Sequence, residues 1–593
     1  MKWDNHIIFP KDSRPSLEVV PCLRGHRWCL LPGEVVESEA MESSLVWQDN
    51  VGPLWFEGVE VAIDWEPDFG DPGRLAQVLA SIAAQSFRRF CLRVRVGEEN
   101  RDKSFPEFAG ALGLGGELSF RELVEKLGLV CEAEETRDPR QGEIPSKDYV
   151  LFLRSEDLLH PMALFILAKE IQKNSAGGYS FFETFAEDQS GGPHAVRMHR
   201  GISPYSVLGS SGISGSFALS RAVLDDLGVE WVRGSWSVAL QSVRKDFQIA
   251  RIPLALTEVR LERKAPMEIE DVDRDFVRDA VRELAEGRNF GLADWSWDPA
   301  QGSGRPTPEP SRADVAAIVP FRDQEALTSA TFRSLAGQSI AGRIRLVAVD
   351  NGSSSEVAAR LRSLAEELFG SDRVTWLSVD EPFNFARLNN RGVAACEESH
   401  LLFLNNDVEF TGENDLAHLQ GFLEWPEVGM AGGALYYPDG QLQAAGISFG
   451  AAGPEVTRDR DAGALVFREV DALTFACAMA RRDAFEAVGG LDEVTCPNGF
   501  GDALLGHRMT QAGWSILCDP SIHIRHHESK SRGSRPEELE RAEMVAEGIP
   551  LYLYGTEFVR EGREMVHRFG RSRPTVGKRI YRAAQAFLKE LKK

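Results

Sequence analysis

Thr331–Asp350 reads TFRSLAGQSIAGRIRLVAVD, and Leu79–Val96 reads LASIAAQSFRRFCLRVRV, an offset of 253 judged at Ser339 and Ser86. In both, a helical spacing of apolar residues hands over to a β-type run. Two further echoes follow in the same order. HLLFLNNDVEF (His400–Phe410) matches YVLFLRSEDLL (Tyr149–Leu159), and FACAMARRDAFEAVGGLDE (Phe475–Glu493) matches GSFALSRAVLDDLGVEW (Gly215–Trp231). Three collinear matches predict one fold used twice. Short apolar runs alternating with helical patterns in each copy predict an α/β class with a mixed, mainly parallel sheet.

Composition bounds what such a chain does. Across 593 residues, 90 Asp and Glu outweigh 67 Lys and Arg, and a net charge of -23 argues against a partner bound through nucleic-acid phosphates. Eight cysteines without a C-x-x-C pair suggest neither a zinc ribbon nor a disulfide framework and predict reduced, mostly buried thiols. Uncharged apolar runs such as Pro161–Ala168 are far shorter than the roughly 18 residues of a membrane span. The opening MKWDNHIIFPKD lacks a secretory core, so a cytoplasmic protein is expected.

The expected organisation has five parts. Residues 1–59 hold scattered β-like runs (HIIF, LEVV, WCLL), and 60–263 are the first copy. Residues 264–312 hold an amphipathic helix over about Asp271–Glu286, then WDPAQGSGRPTPEPSR (Trp297–Arg312), read as a linker because Pro, Gly and Ser accumulate. Residues 313–534 are the second copy, and 535–593 a helical tail. Arg571–Lys593 carries eight cations against Glu590, with Ile580, Ala583, Ala584, Phe587, Leu588 and Leu591 at helical spacing. Such a helix lies on an anionic membrane surface, placing the protein on the inner face, or packs with its basic face in water.

In an open α/β sheet ligands sit beyond the carboxyl ends of the strands. There the second copy offers Pro320 and Asp323, then Asp350, Asn351 and Gly352, then Asn405, Asn406 and Asp407. Asp350 either accepts a hydrogen bond from a nucleobase or closes its own turn. Asn405 and Asp407, two apart at a strand end, suit Mg²⁺ or Mn²⁺ carrying diphosphate oxygens. FNFARLNNRG (Phe383–Gly392) presents amide and guanidinium donors at a helix start, suited to phosphate or ribose oxygens.

Taken in order over about Asp314–Gly533, VPFRD, VAVDNGSS, PFNFARLNNRGVA, LLFLNNDVEF, VGGLDE, CPNGFGDALLGHRMTQAGW and HHESKSRG resemble the family 2 glycosyltransferases of the GT-A fold. The resemblance implies inverting transfer of a sugar from a nucleoside diphosphate to an acceptor hydroxyl of a growing glycan or lipid-linked oligosaccharide, assisted by a divalent cation. It implies that Pro320 and Asp323 line the nucleotide pocket and Asp350 contacts the base, compatible with UDP, dTDP or a guanine nucleotide. Arg387 and Asn390 then lie near ribose and diphosphate, and Asn405–Asp407 stands in the place of D-x-D. Asn405 departs from that motif and leaves Asp407 as its charged ligand. A further metal ligand is expected from the histidine pair, His527 rather than His526. Asp502 is assigned as general base, although Gly501 and Leu504 replace residues usual beside it. Trp514 either stacks on acceptor sugar or belongs to the core.

The first copy has Val96 for Asp350, Arg154 and Glu156 for Asn405 and Asp407, and Trp236 for Asp502. It is therefore expected to be a GT-A-like domain without donor, metal or base functions, serving acceptor binding, dimer contact or support. Two rival readings are an inactive glycan-binding scaffold and a polymerase with two working sites.

Overall fold

In the computed structural model the described residues are a strand pair at 27–31 and 34–37, much of 59–260, 274–298, and 303–527 apart from 451–452, 457–464 and 495. The runs HIIF and LEVV, the basic tail, Val96, Arg154 and Trp236 lie outside the described residues. Arg27–Leu31 and Glu34–Glu37 pair antiparallel. Over the described residues the chain divides into two compact units, one up to Val207 and over Ser211–Ala280, the other over Leu208–Ser210 and from Val281 to His527.

The first unit's main strands are β1 (Val61–Trp65), β2 (Phe90–Val94), β3 (Cys131–Glu132), β4 (Tyr149–Leu153), β5 (Leu158–Leu159), β6 (Gly178–Ala186), β7 (Phe217–Ser220) and β8 (Ile249–Arg260). They lie in the order β3-β2-β1-β4-β7-β6-β8-β5. In the second unit a hairpin of β9 (Leu292–Asp298) and β10 (Ser303–Pro308) precedes the sheet. That sheet contains β11 (Val315–Phe321), β12 (Ile344–Asp350), β13 (Val374–Ser378), β14 (His400–Leu404), β15 (Val408–Phe410), β16 (Val428–Tyr436), β17 (Leu442–Ala444), β18 (Cys477–Arg481) and β19 (Ser515–His526). Its order is β13-β12-β11-β14-β18-β16-β19-β15, with β17 beside β16.

The two orders are the same, strand for strand, and so are the pairing senses. β1 and β11 each lie parallel to the strands on both sides. β7 and β18 each run antiparallel to both neighbours. The sequence echo has a physical basis in two repeated hydrogen bonds. In helix α1 (Pro72–Ala83), Ser81 Oγ accepts from Leu159 N–H at 3.0 Å, and just beyond it Gln85 Oε1 accepts from Leu164 N–H at 3.1 Å. In the second unit the corresponding helix is Glu325–Ala336, where Ser334 Oγ accepts from Phe410 N–H at 2.7 Å and Gln338 Oε1 from Leu416 N–H at 3.0 Å. These side chains satisfy backbone donors that would otherwise be buried unpaired, which is why the S-x-x-x-Q spacing recurs.

β11, β12 and β14 are near-continuous apolar runs because both faces of a central parallel strand are covered. β11 pairs with β12 as far as Phe321 and Asp350. With β14 it pairs only to Ile318 and Phe403. Pro320 has no N–H to extend that ladder. The two strands therefore part at their carboxyl ends, where the chain order switches direction, and this is the crevice in which ligands of such sheets bind. Gly392 keeps the adjacent helix close to β11, since a Cβ there would lie 2.4 Å from Ile318 Cγ2.

The stretch read as a linker forms regular structure over Ser303–Pro308. Gly304, Pro306 and Pro308, residue types that break a central strand, lie in an edge hairpin where only one side needs a ladder. Pro306 pairs with Trp295 and Pro308 with Leu292. The neighbouring Trp425 is fully buried, stacks on Phe290 (centroids 4.8 Å apart, 11° between planes) and donates Nε1–H to Gly291 O at 2.9 Å. Trp425→Phe removes that bond and part of the stack, and is expected to lower stability by about 1–3 kcal/mol, read as a shifted urea midpoint at constant slope.

Candidate active site

The loops after β11 and β12 are tied to each other. Asp323 and Gln324 both adopt left-handed backbone (φ 51° and 49°), an arrangement that non-glycine residues keep only when neighbours hold it. Here Asp323 N–H donates to Ser353 Oγ at 2.7 Å, and Asp323 Oδ1 accepts from Ser354 N–H at 2.9 Å. Asp350 is buried, and its Oδ1 accepts from Ser353 N–H at 2.9 Å. The turn-closing role of Asp350 is thus realised. Asn351 is buried as well and donates Nδ2–H to Val379 O and Glu381 O, each at 2.9 Å. Gly352 has φ 80°, which only glycine adopts without strain. Pro320 is buried at the end of β11.

After β14, Asn405 N–H donates to Ala476 O at 2.9 Å, and Asn406 Nδ2–H to Thr328 Oγ1 at 3.0 Å. Asp407 is only 2% exposed, and neither carboxylate oxygen has a hydrogen bond among the described residues. The group within reach is His526 Nε2, 3.2 Å from Oδ1 and 3.4 Å from Asn405 Nδ2. A buried carboxylate left without donors is unfavourable unless a cation completes it.

The preference for His527 is corrected here. His527 Nε2 lies 2.6 Å from Glu409 Oε1, whereas His526 faces Asp407. The signal was present in the alternation along β19: Ile522 and Ile524 are buried, so position 526 shares their face.

Helix Phe385–Ala394 is capped by Asn384, whose Oδ1 accepts from Arg387 N–H at 2.8 Å and whose Nδ2–H donates to Glu493 O. Arg387 lies between Glu493 (3.1 Å) and Glu381 (3.3 Å). Its hydrogen bond to Glu493, then that to Glu381, raises the guanidinium above its usual range. Asn390 clamps the backbone of Leu491 through both amide ends and also meets Glu493 Oε1 at 2.9 Å. Asn390 is therefore engaged in holding the 491–493 loop, and the polar groups of this segment serve mainly to fix that loop.

Asp502 sits in the first turn of helix Gly501–Gln511, after Phe500 with φ 55°. Its Oδ2 accepts from Phe475 N–H at 3.4 Å and its Oδ1 from Ala503 N–H at 2.8 Å. Phe475 and Ala476 are consecutive, about 3.8 Å apart at Cα. One holds the carboxylate of Asp502 and the other the backbone of Asn405, two residues before Asp407, so the Asn405–Asp407 segment and Asp502 are both tied to the turn before β18. Sequence spacing could not reveal this junction, because 95 positions separate Asp407 from Asp502 (502 − 407).

Of the two readings of Trp514, the structure shows the core packing. It packs on the core and under the Arg481 guanidinium (5.1 Å) at the amino end of β19. His526 ends that strand at the opposite edge, so Trp514 does not line the crevice.

In the first unit, counting along the paired strands puts Glu156 at the place of Asp407. Arg74, 5% exposed, donates Nε–H to Glu156 O at 2.8 Å and pairs with Glu258 at 3.6 Å. A fixed guanidinium thus adjoins the position where the second unit keeps a bare carboxylate.

The family model described as Glycosyl transferase family 2 matches residues 316–489. The chain is 35% identical over 238 residues to the uncharacterized protein y4gI of Sinorhizobium fredii, covering 38% of this chain and 26% of that protein. It is 32% identical over 230 residues to the O-antigen biosynthesis protein RfbC of Myxococcus xanthus (37% and 18%). Over 156 residues it is 29% identical to an N-acetylglucosaminyl-diphospho-decaprenol L-rhamnosyltransferase of Mycobacterium tuberculosis (23% and 49%). The chain spans about a quarter and a fifth of the first two relatives' lengths.

Proposed function

Because residues 316–489 match the family model described as Glycosyl transferase family 2, we propose that the second unit transfers a sugar, with inversion, from a nucleoside-diphosphate sugar to a hydroxyl of a growing glycan or lipid-linked oligosaccharide. The observation that carries this reading is the buried, donor-free carboxylate of Asp407 beside His526, two residues after Asn405, whose N–H bonds the turn that also holds Asp502. The likeness to an O-antigen biosynthesis protein supports a surface-polysaccharide acceptor.

In this reading Asp323, Asp350, Asn351 and Gly352 form the nucleoside end of the crevice, with uracil or thymine against the Asp350 turn. Asp407 and His526 fit a Mn²⁺ or Mg²⁺ ion. Among the described residues no group of three acidic, His or Cys side chains gathers, so a bound cation would take its remaining ligands from water and diphosphate oxygens. When bound, the cation supplies positive charge for the departing diphosphate. Asp502 takes the proton of the acceptor hydroxyl as that oxygen attacks the anomeric carbon and the bond to diphosphate breaks. The bonds from Phe475 N–H and Ala503 N–H aim its carboxylate.

The first unit is read as non-catalytic, because Arg74 places a permanent cation against Glu156 where a metal would be repelled. Among the described residues no helix is long and apolar enough to cross a membrane. Attachment to the inner face through the basic tail is part of the proposal.

Thermal unfolding with Mn²⁺ and a panel of nucleoside diphosphates tests the donor assignment. A ligand at a hundred times its dissociation constant adds about 2.7 kcal/mol. UDP or dTDP is expected to raise the midpoint in wild type and not in Asp407→Asn. Absence of any nucleotide-dependent rise would remove the donor site.

A further inference from the structure

We propose that Gln443 is a positioning residue that selects which nitrogen of His526 faces Asp407 and thereby makes the pair competent to hold a divalent cation. This inference rests on the metal reading of Asp407 and His526. Gln443 Oε1 lies 2.6 Å from His526 Nδ1. An amide oxygen only accepts, so Nδ1 carries the hydrogen. In the neutral ring, Nε2 is then a lone-pair acceptor, met by Asn405 Nδ2–H at 3.4 Å. That lone pair also faces Asp407 Oδ1 at 3.2 Å.

A lone pair and a carboxylate oxygen repel each other unless a cation lies between them. With the opposite tautomer, Nε2–H would donate to Asp407, satisfy the carboxylate and fill the gap. The contact to Gln443 therefore separates a ligand pair from an ordinary His–Asp hydrogen bond, the task outer partners perform for metal-bound histidines.

The backbone is arranged to deliver this side chain. Along β17 the register jumps from Leu435 opposite Ala444 to Tyr436 opposite Leu442. Gln443 is the extra residue of a β-bulge, with no partner of its own across the ladder. Such a bulge re-aims the side chain it carries. Leu442 and Ala444 are buried on the core, and Gln443 between them is half-buried.

The test uses the full chain and Mn²⁺ alone, with free Mn²⁺ followed by electron paramagnetic resonance. Gln443→Leu is expected to weaken Mn²⁺ binding about 10- to 100-fold, and Gln443→Glu, which keeps an acceptor at the same reach, to restore it. In the metal-free protein, ¹⁵N-histidine NMR should show His526 protonated at Nδ1 in wild type and in Gln443→Glu, and at Nε2 in Gln443→Leu. A merely structural role would not move the tautomer. Should Gln443→Leu fail to fold, Gln443→Met, equally long and without an acceptor, carries the same expectation. Wild-type affinity and an unchanged tautomer in the acceptor-less variant overturn the proposal. If Asp407→Asn and His526→Asn also bind Mn²⁺ like wild type, the metal reading itself fails. If those two lose binding and Gln443→Leu does not, the role of Gln443 alone is withdrawn.

Discussion

Asp502→Asn is expected to leave the protein folded and to lower sugar transfer by about 10²- to 10⁴-fold, the contribution typical of a positioned general base. Asparagine is nearly isosteric, and its amide oxygen can still accept from Phe475 N–H, the contact that fixes position 502 against the turn before β18. The local bond from Ala503 N–H and the capacity to take a proton are lost. The loss should therefore appear in kcat, with nucleotide-induced thermal stabilisation unchanged, because donor binding does not use this carboxylate. Single-turnover transfer with saturating donor and acceptor would measure it. Wild-type turnover would refute the base assignment and return Asp502 to the role of a first-turn residue that stabilises the helix start.

Asp407→Asn is expected to reduce transfer about a thousandfold or more, the scale of losing a preorganised electrostatic contact to the leaving group. Its effect on stability should have the opposite sign. In wild type the Asp407 carboxylate is 2% exposed and has no hydrogen-bond donor, so its negative charge is poorly compensated when metal is absent. Removing that charge should leave the metal-free melting temperature equal to or above wild type, while the stabilisation by Mn²⁺ plus nucleotide vanishes. This opposition of stability and function marks a site built for a ligand. A variant that melts well below wild type would instead show that the His526–Asp407 contact is a structural ion pair, and the metal reading would fall.

Much of the fold was legible because its signals are local. The apolar runs of β11, β12 and β14 are continuous in the sequence since both faces of these strands are covered. The echo S-x-x-x-Q at Ser81–Gln85 and Ser334–Gln338 marked two helices that bond the same backbone groups. The hairpin at Ser303–Pro308 was missed for a physical reason. Gly and Pro count as breakers in a central strand, and only the packing partner reveals that a segment is an edge.

By itself, the sequence determined the α/β class, the internal echo and which strand ends carry polar chemistry, because hydrophobic period and strand length follow from short-range chain geometry. It did not determine that His526 rather than His527 reaches Asp407, that Asn390 is engaged by Leu491, that Trp514 lies at the far end of β19, or that Gln443 meets the imidazole. Those facts depend on how strands distant in the chain align, and a shift of one residue in that register turns a side chain to the other face. Tertiary structure decided the site for that reason.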